Sequence, residues 1–142
     1  MTMLIIDTTV LAYAVGGEHD LRGGARDFLR GVAEGRIRAS TTPEVIQEFA
    51  HVRSRRTTRA DAASQALDFA TMLSPLITTS QDDIERGLGL WEHQMPLGSF
   101  DAILIAAAER VGASAVVSSD KGFADQHLLP HLTIAQALAT LA

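Results

Sequence analysis

Short apolar runs alternate with segments of helical periodicity along this chain, and this alternation constrains the fold more than any other feature. The run Met3–Ile6 predicts a buried strand that ends at Asp7. Further strands are predicted at 36–39, 76–79, 113–117 and 132–134. Strands separated by helices are typical of a parallel sheet that helices cover on both faces. We therefore expect the α/β class, with a short parallel sheet flanked by helices on both faces.

Helix boundaries are marked by capping residues and prolines. The segment 41–44, Thr-Thr-Pro-Glu, predicts a helix start with a Thr-x-x-Glu capping pattern, and two helices are expected to fill 43–74 before Pro75. Another amphipathic helix, ended by Pro96, is indicated by the spacing of Ile84, Leu88, Trp91 and Met95. Its Trp91 is predicted to lie in the core.

Composition excludes several classes of site. The chain has 142 residues, the size of one domain spanning 1–142, and it contains no cysteine, so disulfides, thiol nucleophiles and iron–sulfur clusters are excluded. Its longest apolar run, 102–108, is far shorter than the roughly 20 residues that span a bilayer. The N-terminus lacks the pattern of a signal peptide. We expect a cytoplasmic protein that does not associate with membranes.

Charge is unevenly distributed along the chain. The net charge is −5, which argues against a protein that coats nucleic acids in general. Residues 1–59 nevertheless hold nine arginines and seven acids, whereas residues 60–142 hold three basic residues and ten acids. A local basic surface can bind nucleic acid on an acidic protein.

Four acidic residues stand at positions where solubility alone does not require an acid. Asp7 follows the first predicted strand, and Asp120 follows the 113–117 strand after two serines. Asp101 lies in the first turn of a buried helix predicted at 100–111, with Ser99 as its cap, and Glu48 shares a helical stripe with apolar residues. Because sites in open parallel sheets form beyond the carboxyl ends of the strands, these acids are expected to converge.

Each acid also has an ordinary structural interpretation. Asp7 could cap a helix beginning at Thr8, Asp120 could serve a turn, and Asp101 could complement a helix dipole. Glu48 could reach solvent from the edge of its stripe. Clustered carboxylates repel one another unless some are protonated or a cation is shared, and oxygen ligands suit a hard ion such as Mg²⁺ or Mn²⁺. Such a site can hydrolyse phosphodiesters.

At these residues the sequence resembles the PIN-domain family, specifically the VapC-type toxin ribonucleases of bacterial type II toxin–antitoxin systems. Four segments carry the resemblance, in the order of the family and over nearly the whole chain. They are LIIDTTVLAYAV around Asp7, TTPEVIQEFAHV around Glu48, FDAILIAAA around Asp101 and VVSSDKGF around Asp120.

The resemblance implies a PIN-like fold and a Mg²⁺- or Mn²⁺-dependent endoribonuclease that hydrolyses RNA with a metal-activated water. Asp7, Asp101 and Asp120 would hold the metal, and Glu48 would complete the acidic catalytic pocket. Two hydroxyl residues would support this pocket from outside it: Ser118 matches the family pattern, and Thr9 stands where many members have Asn or Ser. A cognate VapB-type antitoxin and a homodimer are also implied.

A run of arginines follows Glu48 and forms a second candidate site. Its members are Arg53, Arg55, Arg56 and Arg59, which could carry the RNA backbone past the acids or could simply be a solvated helix end. Two alternatives to the ribonuclease remain open from the sequence. They are a non-catalytic PIN-like module that binds RNA or a partner, and a structure-specific DNA nuclease of the same fold. An aspartyl phosphatase is disfavoured because it needs a second Asp at the position of Thr9.

Overall fold

The computed structural model describes residues 2–93 and 96–140, and four parallel strands form one sheet within them. The strands are β1 (Met3–Ile6), β2 (Arg38–Ser40), β3 (Ala115–Val117) and β4 (His131–Leu132). Their order in the sheet is β2-β1-β3-β4, so the two central strands are β1 and β3. Ile5 pairs with Ser40 of β2, and Ile6 pairs with Val117 of β3. The carboxyl ends of the central strands therefore lie side by side.

Seven α-helices and one short 3₁₀ helix occur in the described residues. The α-helices are α1 (Thr8–Val15), α2 (Arg22–Ala33), α3 (Pro43–Ser54), α4 (Arg59–Met72), α5 (Gln81–His93), α6 (Ser99–Arg110) and α7 (Ile134–Ala139). The 3₁₀ helix spans Lys121–Asp125. None of the helices in 2–93 and 96–140 is long and apolar enough to cross a membrane.

The central strands are buried on both faces of the sheet. In β1, Leu4, Ile5 and Ile6 are all buried, and every residue of β3 is buried as well. Successive side chains of a strand point to opposite faces, so continuous burial means that both faces are covered. Helix α6 is buried on most of its circumference, as its apolar composition predicts. The predicted α/β class is confirmed.

The prediction of a strand at 76–79 is wrong. This segment contains no strand, although Ile77 is buried and its backbone N–H donates to the Thr41 carbonyl at 2.9 Å. The hydroxyl of Ser40 also donates to the carbonyl of Pro75. These contacts attach the segment to the end of β2 without a ladder of backbone hydrogen bonds. The sequence Leu-Ile-Thr-Thr at 76–79 fits a packed loop as well as a strand.

Two predicted helix caps and one predicted strand boundary need correction. Helix α3 begins after Thr42, whose hydroxyl accepts from the Val45 amide, whereas a capping pattern was expected from Thr41 to Glu44. Helix α6 includes Ser99 as its first residue, and its cap, Gly98, makes no side-chain bond. The last strand ends at Leu132, before the predicted 132–134 range does, because Thr133 caps α7.

Helix α5 presents an apolar stripe outward, which contradicts the prediction that Trp91 is part of the core. Trp91 is 48% exposed, and Ile84 and Leu88 are exposed as well. The face that packs on the protein contains Asp83 and Gly87, both buried. A Cβ at Gly87 would lie 2.6 Å from a backbone atom of α6, so glycine permits a close approach of the two helices on this face. Met95, the last residue of the predicted stripe, lies outside the described residues.

Candidate active site

Asp7 lies at the carboxyl end of β1, where the chain turns into α1. Its side chain caps α1 by accepting a hydrogen bond from the Thr9 amide at 3.1 Å, which confirms the capping interpretation. Asp7 is only 5% exposed. Burial raises the pKa of this carboxyl above its ordinary value, and hydrogen bonds from Ser118 and Thr9 oppose that rise.

Two hydroxyl groups connect Asp7 to the end of β3. The Ser118 hydroxyl donates to Oδ2 of Asp7 at 2.5 Å and accepts from the backbone N–H of Asp120 at 2.9 Å. The Thr9 hydroxyl donates to Oδ1 of Asp7 at 2.6 Å and accepts from the Ser119 amide at 3.1 Å. Both carboxylate oxygens of Asp7 are thus held, and the same hydroxyls fix the loop that carries Asp120.

Asp120 follows β3 and stands at the exposed rim of this region. Its Oδ1 accepts from the Gly122 amide at 2.9 Å, so the residue caps the 3₁₀ helix as a turn residue would. A Cβ at Gly122 would lie 2.7 Å from a side-chain atom of Leu97, which favours glycine at this turn. Among the described residues, the other carboxylate oxygen of Asp120 has no hydrogen-bond partner.

The other three predicted acids all lie within electrostatic range of Asp101. It occupies the first turn of α6, and its pKa is raised from 3.8 to about 7. Burial is the largest cause, followed by repulsion from Asp7, Asp120 and Glu48. Glu48 is half-buried on α3. Elements distant in sequence therefore bring four carboxylates to one edge of the sheet, as the strand order predicts.

The donor chemistry of this region fits a hard divalent cation. All four groups are carboxylates, and none of the interactions that shift the pKa of Asp101 involves a basic side chain. Within 2–93 and 96–140, however, no three acidic or histidine side chains are arranged closely enough to enclose an ion. The residues thus supply suitable oxygen ligands and an unbalanced negative charge, in an arrangement more open than a closed coordination shell.

The predicted arginine run is divided between two helices and the turn between them. Arg53 belongs to the last turn of α3, where its Nε donates to Gln65 at 3.0 Å, and Arg59 begins α4. Arg55 contacts the ring of His51, and it lies with Arg56 in the turn. Arg53 and Arg56 line a groove beside α1.

Two supporting contacts near the site were not predicted from the sequence. The hydroxyl of Thr41, at the end of β2, donates to the Ile6 carbonyl at 2.7 Å, just before Asp7. The Nε2 atom of His131 lies 2.9 Å from the Ser118 carbonyl oxygen. Thr41 is completely buried. The one signal in the sequence that marked this residue was its position after a predicted strand. His131 carried no comparable signal in the sequence, since its contact with Ser118 depends on the pairing of β3 with β4.

Asp83 is buried at a helix start, a position where an acid is ordinarily exposed. Asp83 lies in the first turn of α5, where it exchanges hydrogen bonds with Ser80. Its side chain is only 3% exposed and accepts three hydrogen bonds from the Arg110 guanidinium. These bonds hold the pKa of Asp83 below its usual value. The pair joins α5 to α6, and its role is structural and separate from that of the four acids at the strand ends.

Comparison with known proteins agrees with this arrangement. The family profile of the PIN domain matches residues 4–127, which include all four acids. The chain belongs to the PIN-domain family. Ribonuclease VapC7 of Mycobacterium tuberculosis is 47% identical over 136 residues, covering 92% of this chain and 90% of that protein. Ribonuclease VapC23 of the same species is 31% identical over 120 residues, covering 83% and 93%.

Solved structures of this PIN-domain group have the same fold. The crystal structure of Mycobacterium tuberculosis VapC20, a toxin that cleaves the sarcin–ricin loop, has a TM-score of 0.71 at 17% identity, covering 85% of this chain and 92% of that one. VapBC2 from Rickettsia felis, bound to a DNA fragment from its promoter, has a TM-score of 0.70 at 17% identity, covering 92% and 98%. At these identities the likeness concerns the fold.

Proposed function

We propose that this chain is the toxin of a toxin–antitoxin pair, a PIN-domain endoribonuclease of the VapC type formed by a single domain over 1–142. The observation that carries this proposal is the electrostatic coupling of Asp7, Glu48, Asp101 and Asp120 at the carboxyl edge of the sheet. The 47% identity with a VapC ribonuclease supports the choice of RNA as substrate.

Asp7, Asp101 and Asp120 would hold Mg²⁺ or Mn²⁺, and Glu48 would complete the catalytic pocket. A bound divalent cation supplies Lewis-acid chemistry that activates water and stabilises phosphoryl oxygens. The chain itself contributes the negative charge that attracts the cation and keeps Asp7 oriented through the hydroxyls of Ser118 and Thr9. In the absence of a cation, about half of the Asp101 carboxyls hold a proton at pH 7, because the pKa is about 7.

RNA would reach the acids past the arginines at the end of α3 and the start of α4. The guanidinium groups of Arg53, Arg55, Arg56 and Arg59 are suited to contacts with phosphate oxygens. These contacts would position the backbone and would offset the repulsion between the RNA and the acidic pocket.

We also propose that a VapB-type antitoxin inhibits the chain, that two copies form a homodimer, and that the protein acts in the cytoplasm. The antitoxin is supported by the structural likeness to VapBC2, a complex that contains both partners. The exposed apolar stripe of Ile84, Leu88 and Trp91 supports association, because exposed apolar patches often mark protein interfaces.

The decisive experiment is cleavage of a mixed pool of structured RNAs by the purified chain. Four reactions are compared: wild type with Mn²⁺, wild type with EDTA, Asp7→Asn with Mn²⁺, and a single-stranded DNA pool with Mn²⁺. Discrete RNA cuts that need both the metal and Asp7 are expected. Equal cleavage by wild type and Asp7→Asn would refute the assignment of the site, and preferential cleavage of DNA would replace RNA as the substrate.

A further inference from the structure

A groove of about 380 Å³ lies between the C-terminal ends of α1 and α3, separate from the four acids. Its apolar lining includes Phe49 and Val52, and Tyr13 and His19 supply aromatic rings. Arg53 and Arg56 contribute positive charge on the α3 side. A volume in this range is that of a small-molecule site rather than a gap in packing.

The His19 ring is fixed in place although the residue is exposed. Its Nδ1 accepts a hydrogen bond from the Leu21 amide at 3.1 Å, and its centroid lies 4.5 Å from that of the Tyr13 ring. An exposed aromatic ring held by two contacts offers a flat surface that needs little ordering when a ligand binds. Nucleobases stack on aromatic side chains of this kind.

Charge in the groove is arranged for a nucleotide rather than for a purely apolar ligand. The guanidinium of Arg56 has no hydrogen-bond or ion-pair partner in the described part of the chain, and Arg56 lines the same groove as His19. Glu18 also lines the groove, and its carboxylate can accept from the amino group of adenine, cytosine or guanine. The arginines suit a phosphate and the opposite wall suits a base.

Two helices connect the groove to the acidic site. Helix α1 begins next to Asp7 and is eight residues long, which places its far end about 12 Å away. On α3, Val52 follows Glu48 by one helical turn, about 6 Å along the axis. A strand whose phosphate lies at the acids would therefore bring a neighbouring nucleotide, not the cleaved one, to the groove.

We propose that this groove is a subsite for one unpaired nucleobase of the RNA, stacked against His19 and Tyr13 with its phosphate at Arg53 and Arg56. This proposal rests on the proposed ribonuclease function and adds a determinant of substrate choice to it. The base is read outside the catalytic pocket, so the subsite governs affinity and sequence preference without contacting the reacting phosphate.

The test measures binding of a fluorescein-labelled, single-stranded random RNA hexamer to the full chain in the Asp7→Asn background. His19→Ala is expected to weaken binding about 5- to 100-fold, the range for loss of one stacked base. His19→Phe retains a stacking surface and is expected to bind within about threefold of the parent. His127→Ala, at an exposed histidine outside the groove, is the matched control and leaves affinity unchanged.

Salt dependence separates the base from the phosphate. Arg56→Ala is expected to reduce the slope of log K against log salt by about 0.7, the value for one contact on single-stranded nucleic acid, whereas His19→Ala leaves the slope unchanged. In metal-dependent cleavage by chains that retain Asp7, His19→Ala is expected to lose a base preference at one position beside the cut.

Two results would overturn the subsite while leaving the ribonuclease intact. One is metal-dependent RNA cleavage by the wild type with affinity and base preference unchanged in His19→Ala. The other is weakening by His19→Ala of a complex with the antitoxin alone, which would make the groove a protein-docking surface. A wild-type chain that neither binds nor cleaves RNA would overturn both proposals.

Discussion

Replacing Asp101 by asparagine is expected to stabilise the metal-free protein at pH 8. Burial and three neighbouring carboxylates raise the pKa of Asp101 from 3.8 to about 7, so its ionised form is disfavoured in the folded state. At 1.36 kcal/mol per pH unit this difference corresponds to about 4 kcal/mol. Because Asp101 is only partly buried, solvent screening reduces the expected gain to about 2 kcal/mol.

The pH dependence of this effect has a defined sign. The folded state holds a proton on Asp101 up to about pH 7, whereas the unfolded state releases it near the ordinary value of 3.8. Asp101 therefore costs the wild type stability as the pH rises through this interval, and the loss is complete above about pH 7. The advantage of Asp101→Asn is expected to be largest at pH 8 and to shrink as the pH falls toward 4.

Thermal and urea unfolding in EDTA at pH 4, 6 and 8 measure this advantage. A gain of about 2 kcal/mol at pH 8 corresponds to a Tm increase of about 6 °C for a chain of this size. Asp68→Asn, which removes an exposed acid from α4, is the matched control and is expected to change stability by less than about 0.5 kcal/mol. A destabilised Asp101→Asn at pH 8, or a gain that does not depend on pH, would show that the carboxylates do not interact as described.

Three further predictions concern other parts of the molecule. Gly87→Ala is expected to destabilise the chain by about 1–3 kcal/mol in urea unfolding because its Cβ would overlap the backbone of α6, whereas Gly89→Ala, with open space around it, gains about 0.5–1 kcal/mol. Ser118→Ala is expected to reduce metal-dependent RNA cleavage about 10- to 100-fold without unfolding, since its hydroxyl joins the Asp7 carboxylate to the backbone N–H of Asp120; unchanged cleavage would contradict this. Asp83→Asn is expected to cost about 1–3 kcal/mol at pH 7, because the ion pair with Arg110 is lost. Since the folded state lowers the pKa of Asp83 from 3.8, this cost starts to shrink as the pH falls below 3.8, where the unfolded state takes up the proton, and is lost only below the lowered pKa; an equal cost at pH 7 and about pH 2 would contradict it.

The sequence predicted the position of the acids because one geometrical rule connects them. Asp7 and Asp120 each follow a buried strand, and the parallel order places β1 beside β3. Once these strand ends are adjacent, a short hydroxyl side chain at 118 can reach both carboxyl-bearing segments. Short apolar runs were sufficient to predict where these two strands end, because the buried residues of a central strand are apolar and the first polar residue marks its end.

Short sequence patterns could not predict the contacts between elements that are distant in the sequence. Residues 76–79 resemble a strand in their composition. They nevertheless contact only the end of the edge strand β2, through the Ile77 amide and the Thr41 carbonyl, and do not pair along its length. The burial of Asp83 depends on Arg110, which is 27 residues away on another helix. An acid near a helix start is usually exposed, and the ion pair with Arg110, together with the hydrogen bonds to Ser80, makes the burial of Asp83 favourable.

Helix α5 shows why an apolar stripe does not by itself identify the buried face. Periodicity gives the direction of the apolar side, but the packing side is chosen by which face allows the neighbouring helix to approach. Here Gly87, which has no side chain, and the ion-paired Asp83 form that face. The apolar stripe therefore remains exposed in a single copy of the chain; its members are Ile84, Leu88 and Trp91. A stripe that is apolar and yet not needed for the core is what a helix contributes to an interface with another molecule. The same observation that contradicts the core assignment of Trp91 thus supports the proposed homodimer, and light scattering of wild type against Trp91→Ser tests it: loss of the dimer in a chain that remains folded is expected, and an unchanged mass would place the interface elsewhere.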